Sequence, residues 1–448
     1  MNNMKNITGL SANLLAQINS LKNALGEIES ADVANEESHS TGAGMRMLLY
    51  SHDTFGLGHL QRCLKISRAL ISHYPDLSIL LVTGSPVVHR YQLPPGVDYV
   101  KLPAVRKVGP EKYEARTLGT SYRRILNIRT NILLQTIQDY NPHLLLVDHS
   151  PIGMKGEMLP ALEWLKKSNA SCTKLLGLRD IIDAPEKVID LWKQQGTYEV
   201  LQELYDYIVV YGSSEVYNPM TAYQFSSDLE QKTYFCNYIS PFSRNGHNNG
   251  SKKKKVNKKH QVVVTIGGGD GAGEVVIGTF LKMLRKNLEK VNFDSVIITG
   301  PFLSVELFKK FRKESLGLPV TLRQFIPGTS SLFKQCDLVV STGGYNTVTE
   351  LLGFARRALI IPRVLHRQEQ LIRAQRLSEM GLLTFLHPDK VTPQLLYKII
   401  LSLLKSTREP LTEAREKKLI KFDGTDRLAD FCGKLFIAQT KKQEVIND

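Results

Sequence analysis

The sequence predicts an α/β protein of two Rossmann-like domains, each a doubly wound parallel sheet, facing each other across a cleft. Three observations predict it. Short apolar runs alternate with helix-length segments, the alternation stops near Ile239 and restarts at Gln261, and both halves open with a strand, a glycine turn and a helix. Strands buried on both faces read as continuous apolar runs, and helices separate and cover them. A chain of 448 residues is too long for one ordinary core.

Residues 1–44 are polar apart from an amphipathic portion at Leu10–Ser30 and read as a flexible N-terminal extension. The first domain, residues 45–240, opens with "MRMLLYSH" as a buried strand and "DTFGLGH" as a glycine turn. Apolar spacing at Leu60, Leu64, Ser67 and Leu70 then predicts a helix. "LSILLVTG", "HLLLVDHS", "TKLLGLRD" and "DYIVVYGS" continue the strands. Residues 241–260, with "SKKKKVNKKH", have no core-forming periodicity and read as a basic linker. The second domain, residues 261–405, repeats the opening with "QVVVTI", "GGGDGAG", the helix "EVVIGTFLKMLRKNL" and the strand "SVIITG". Asp337–Arg363 compresses strand, glycine turn, helix and strand into under thirty residues. Residues 406–448 are charged and read as a helical segment packing back across the first domain.

With 42% hydrophobic residues and no apolar run of spanning length, the composition is that of a cytoplasmic globular protein. Cys63, Cys172, Cys236, Cys336 and Cys432 lack CxxC spacing, which argues against a zinc cage or a disulfide framework. The net charge of +15 raises nucleic acid as a partner, but no RNP-like aromatic stretch or recognition helix accompanies it. The lysine run leaves two readings: a solvated linker, or attraction to an anionic membrane surface or a phosphorylated substrate.

Glycine turns at Gly56, Gly267 and Gly343 follow strands and precede helices. Glycines let a backbone approach a phosphate closely, and helix N-termini favour anions. A dinucleotide reading is weak. Gln61 replaces the third glycine after Gly56 and Gly58; Gly267, Gly269 and Ala272 fit a looser form, but the next strand ends without an acid for a ribose. No GxxxxGK[ST] is present, and Asp270 sits inside the middle turn.

"STGGYNTVTE" (Ser341–Glu350), followed by "ALIIPRVLHRQEQLIRAQRL", resembles the donor-site signature of glycosyltransferase family 28, the MurG-like transferases of GT-B fold. "GLGH" and "TIGGGDG" are similar to that family's two glycine loops, and the resemblance spans about Met45 to Leu404. It implies a UDP-sugar on the second domain. Glu350 would accept from both ribose hydroxyls and Ile326 would edge the uracil, while Gly267, Gly268, Gly269, Gly343, Gly344 and Thr347 would meet the phosphates. Gln368 and Gln370 would reach the sugar, but Arg373 stands where the family typically carries Asn, so the sugar's identity does not carry over. The bland reading of Glu350 is an acid favoured by the helix dipole.

On the first domain, Gly56 and Gly58 form the acceptor-side loop, and His59, at a helix start, is the candidate base, kept neutral by the positive end of the dipole. Asp148 and His149 end a strand on the same sheet edge and are candidates to orient His59 or the acceptor, though a strand-end Asp also commonly caps a helix. Arg179 and Asp180 end another, where an Arg could face the diphosphate or make a surface ion pair. The resulting expectation is an inverting transferase that moves a sugar, an N-acetylhexosamine by preference, from UDP to an unidentified acceptor, lipid-linked, glycan or small. No metal or other cofactor is called for, since no DxD ends a strand. "GLGHLQR" and "VDHSP" also resemble the nucleotide-sugar hydrolase of pseudaminic acid biosynthesis. A sugar epimerase and a non-catalytic nucleotide-sugar-binding protein are further alternatives.

Overall fold

A computed structural model describes residues 44–52, 58–109, 112–240, 259–267, 273–326, 329–354, 356–365, 367–406 and 420–447. The N-terminal extension, the lysine run, Gly56, Gly268 and Gly269 lie outside the described residues.

Two parallel sheets form. The first contains β1 (Arg46–Ser51), β2 (Ser78–Thr83), β3 (Val97–Lys101), β6 (Leu144–Asp148), β7 (Thr173–Arg179), β8 (Tyr207–Tyr211) and β9 (Thr233–Phe235), ordered β3-β2-β1-β6-β7-β8-β9. A two-stranded antiparallel hairpin of β4 (Val105–Gly109) and β5 (Lys112–Ala115) stands apart. The second sheet contains β10 (His260–Thr265), β11 (Phe293–Ile298), β12 (Val320–Arg323), β13 (Leu338–Ser341), β14 (Arg357–Ile360) and β15 (Thr384–Phe385), ordered β12-β11-β10-β13-β14-β15.

This order creates a switch point in each sheet. The chain leaves β1 toward β2 and β3, then returns to build outward from β6 on the other side; β10 and β13 repeat the arrangement. Loops after the two central strands therefore diverge to opposite faces and leave a crevice at the strand C-termini. In register, Ser51 pairs with Asp148 and Thr265 with Ser341, so the ends that bracket each crevice are level.

The strands alternate between two apolar surroundings. Met47 and Leu49 face one core and Leu48 and Tyr50 another; Val263 and Val339 join the first of these, while Val262, Val264, Leu338 and Val340 face a third. The first core thus spans both sheets. It packs α1 (Gly58–His73) against α9 (Tyr345–Gly353), with residues of α10 (Glu369–Glu379) and α12 (Gly424–Asn447) joining it. The facing domains share a continuous apolar cluster around the candidate site, which the expectation of a simple cleft did not include.

Among the remaining helices, α2 (Tyr122–Tyr140), α3 (Leu159–Ser168), α4 (Pro185–Gln194) and α5 (Thr197–Leu204) belong to the first domain. The second adds α6 (Thr279–Lys286), α7 (Val305–Glu314), α8 (Thr329–Gln335) and α11 (Pro393–Lys405). A π-turn at Glu274–Gly278 feeds α6. The last helix returns to the first domain: Phe431 stacks on Tyr234 at 4.7 Å, and Gln439 Nε2 donates to the His143 carbonyl at 2.6 Å. No described helix is long and apolar enough to cross a membrane.

Candidate active site

At the first switch point, α1 begins beside the end of β6 and places His59 against Asp148. His59 Nδ1 lies 2.6 Å from Asp148 Oδ2, and the carboxylate is 1% exposed. Arg62, one turn along α1, grips it as a fork, Nε to Oδ1 and Nη2 to Oδ2, both at 2.7 Å. Burial alone would push the Asp148 carboxyl up, but Arg62 and His59 outweigh it and hold the group well below its ordinary value. Arg62 Nη2, which only donates, also lies 2.9 Å from His59 Nδ1, but it is already bonded to Oδ2, and the ionised Asp148, which only accepts, is closer at 2.6 Å; the shorter contact assigns the proton to Nδ1 and leaves Nε2 as the basic nitrogen. Burial lowers the His59 pKa, partly opposed by Asp148, and the ring is neutral at pH 7. Burial, rather than the helix dipole expected from the sequence, is the leading cause.

Two more imidazoles stand close by. The ring centre of His149 lies 5.0 Å from that of His59, and that of His52, just past β1, lies 5.8 Å from His59 and 6.2 Å from His149. Burial keeps both well below the ordinary histidine value, with Arg179 adding to the effect on His149 and His59 to that on His52. His149 has φ of +72°, a left-handed conformation that costs a non-glycine residue energy and is found where the surroundings enforce it. Among the described residues no group of three or more His, Cys, Asp or Glu is placed to hold a metal ion.

Arg179 ends β7 and crosses to the second domain: its Nη1 donates to Glu369 Oε1 at 2.6 Å, and its Nη2 lies 3.2 Å from His149 Nε2. Arg373 also donates to Glu369 Oε1, at 2.9 Å, and reaches Asp180 at 3.5 Å. The surface ion pair considered for Arg179 is instead a buried link between domains. Tyr345, at the start of α9, reinforces it, donating to the Tyr211 carbonyl and accepting from Ile239 N while its ring lies against Arg62 and Arg373.

The residues expected to meet a donor gather around β13 and α9. Gly343 has φ of +82°, and a Cβ there would lie 2.7 Å from Ile360 Cγ2, so the turn requires glycine. Gly344 caps α9 and Thr347 is half-buried on it. Glu350, 7% exposed, accepts from Lys65 Nζ of α1 at 2.8 Å and from Ser330 Oγ at 3.0 Å. Asn346 Nδ2 donates to the Gly58 carbonyl at 3.0 Å, tying the acceptor-side turn to the same helix. Gly267 has φ of +70°, and Ile326 is half-buried against the shared core.

Gln368 and Gln370 flank the start of α10. Gln368 is exposed, with its backbone N–H on Asp183 at 2.7 Å, and the Gln370 side-chain oxygen Oε1 accepts from Arg363 N at 3.1 Å. The buried stripe of α10 is Glu369, Arg373, Ala374 and Leu377. Side chains one residue away are turned about 100° around the helix. The sequence reading missed His52 and Glu369, and also Arg62, Lys65, Ser330, Tyr345 and Asn346, which hold the candidate residues in place; His52 follows a central strand at a switch point, which was the available signal.

Residues 262–428 match the glycosyltransferase family 28 C-terminal domain. The match lies in the second half of the chain and covers the turn at Gly343 and Glu350. Solved structures extend the likeness to the whole fold. A structure described as the glycotransferase of kitacinnamycin is 17% identical with a TM-score of 0.58, covering 88% of this chain and 99% of that one. Acinetobacter baumannii MurG is 12% identical with a TM-score of 0.55, at 87% and 100% coverage. The calicheamicin glycosyltransferase CalG4 is 15% identical with a TM-score of 0.55, at 87% and 98% coverage. No curated protein sequence matches the chain. The two-sheet arrangement with its family 28 domain is the GT-B fold of glycosyltransferases.

The link between the two domains should be acid-sensitive. Burial would raise the Glu369 carboxyl, but Arg179, Arg373 and Arg367 bring it down to about 2 from the ordinary 4.5. A depressed carboxylate contributes stability above its unfolded pKa and loses it as pH falls through its folded one. Thermal midpoints should therefore fall between about pH 4.5 and pH 2 in the wild type, and Glu369→Gln should flatten that portion of the curve.

Proposed function

We propose that this protein is an inverting glycosyltransferase that moves a sugar from a UDP donor to an acceptor hydroxyl, with UDP-N-acetylhexosamines as the first donors to try. The reading rests on the Asp148–His59 pair, which leaves a basic imidazole nitrogen on the wall facing a family 28 domain. His59 Nε2 takes the hydroxyl proton as the acceptor oxygen forms its bond to the anomeric carbon. The bond to UDP breaks with its electron pair leaving on the phosphate, and attack opposite the leaving group inverts the centre. The backbone N–H of Gly344 and the start of α9 offset the diphosphate's growing charge, joined by those of Gly267 and Gly343 once they turn from the Thr265 and Ser341 hydroxyls, with no metal required in this reading. Glu350, prepared by Lys65 and Ser330, accepts from the ribose. The location that suits this reading is the cytoplasm, with the lysine run as a candidate contact for an anionic membrane surface.

Released UDP, measured with each UDP-sugar with and without candidate acceptors, tests the proposal. Acceptor-dependent release supports transfer, acceptor-independent release replaces it with hydrolysis, and no release with any donor sinks both. UDP should also raise the melting temperature where NAD does not, a site at a hundred times its Kd contributing about 2.7 kcal/mol. Glu350→Ala should weaken UDP binding by roughly 1.5 to 3 kcal/mol and raise the donor KM, because a charged acceptor for two hydroxyls is lost. Unchanged affinity in that variant would remove Glu350 from the donor site.

A further inference from the structure

We propose that Lys65 keeps the ribose end of the donor site closed in the unliganded protein, its ammonium holding the carboxylate that the nucleotide must take over; this rests on the donor reading above, in which Glu350 accepts from the ribose. The placement follows from helix geometry. Gly58, Gln61 and Lys65 stand three and four residues apart on α1, and Asn346 and Glu350 four apart on α9, so each set forms one stripe. Where the stripes meet, Asn346 Nδ2 donates to the Gly58 carbonyl at 3.0 Å, and further along Lys65 Nζ donates to Glu350 Oε1 at 2.8 Å. The Lys65 and Glu350 side chains are only 13% and 10% exposed. A pair so far from water ties the two domains together, unlike a surface pair that solvent and salt screen.

The other carboxylate oxygen is engaged as well. Ser330 Oγ of α8 donates to Glu350 Oε2 at 3.0 Å, so both oxygens are satisfied before any nucleotide arrives, one from each domain. Two vicinal ribose hydroxyls accepted together take one oxygen each. Glu350 is 7% exposed with α1 packed against its helix, so a ribose reaches Oε1 only by taking the place of Lys65. That exchange is even in hydrogen bonds and unfavourable in charge, because an ammonium leaves a buried carboxylate and a neutral hydroxyl replaces it. A ligand whose competent state is populated in a fraction of molecules binds more weakly by that fraction, and a pair made in about nine molecules of ten costs the nucleotide about tenfold. The exchange also unties α1 from Glu350, while Arg179 and Tyr345 keep the domains joined elsewhere.

Calorimetric titrations of the full-length protein with UDP and with 2′,3′-dideoxyuridine 5′-diphosphate, which keeps the base and diphosphate but has neither hydroxyl, test this. Lys65→Met should tighten UDP by about tenfold and leave the dideoxy nucleotide within about twofold of its wild-type affinity, because that nucleotide makes no claim on Glu350. Lys65→Arg, which keeps the ion pair, should bind UDP as the wild type does. A merely structural role for Lys65 would move both nucleotides together. Should Lys65→Met fail to fold, Lys65→Gln removes the charge while leaving the carboxylate a donor, and the same direction is expected. The proposal is overturned if the variant leaves UDP affinity unchanged, if it weakens UDP so that Lys65 is a donor contact, or if both nucleotides tighten alike. UDP that fails to bind, or binds Glu350→Ala as well as the wild type, overturns the donor assignment and this proposal with it. UDP that needs Glu350 and ignores Lys65→Met overturns the proposal alone.

Discussion

Replacing His59 by alanine is expected to lower kcat by about a hundred- to ten-thousandfold, the range for a lost general base, while UDP binds nearly as before. The separation follows from position. His59 belongs to α1 of the first domain, and the proposed ribose acceptor, Glu350, belongs to α9 of the second. Asp148→Asn should lower kcat too, because an amide can donate to Nδ1 and stabilise the wrong tautomer, leaving the proton on Nε2. In the wild type the acid limb of kcat/KM should lie below pH 6.5, since burial lowers the His59 pKa from that value and the neutral form is the active one. Full turnover in His59→Ala would remove it from the chemistry. Loss of UDP binding there, with none in Glu350→Ala, would reverse the assignment of the two walls.

Arg62→Leu should destabilise the fold by about 3 to 5 kcal/mol, the cost of leaving one partner of a buried ion pair uncompensated. The guanidinium is 1% exposed, holds both Asp148 oxygens and lies 5.4 Å from the Tyr211 ring and 5.5 Å from that of Tyr345. Its removal strands a carboxylate that only His59 would then partner, and takes packing from both domains. Urea unfolding of the two proteins measures the difference. A change within about 0.5 kcal/mol, usual for a surface substitution, would mean that Asp148 is held by something other than Arg62.

Much of the fold was legible because parallel strands buried on both sides have a plain sequence signature. Asp337–Arg363 folds as read, with β13, the turn at Gly343, α9 and β14. Less legible were β3, β9 and the hairpin of β4 and β5. No residue of β3 is buried, each being intermediate or exposed, and β9 is intermediate throughout, so neither carries a continuous buried apolar run. The site divides in the same way. His59, Asp148 and His149 were recognisable as chemistry-bearing side chains at strand and helix ends, and the structure brings all three together. The phase of α10 was not legible, because it is set by which face meets the first domain, and that face is Glu369 and Arg373.

By itself, then, the sequence determined the local units: apolar runs long enough for a strand, glycines where φ must be positive, and titratable groups at the ends of central strands, all properties of residues near one another in the chain. Tertiary structure alone decided the partnerships. Lys65 meets Glu350 across 285 residues, Arg179 meets Glu369 across 190, and His59 meets Asp148 across 89. Each pairing depends on the strand order that brings the switch points face to face and on how closely α1 packs against α9. The charge state of each group follows from the burial and counter-charges found there, which no spacing along the chain encodes.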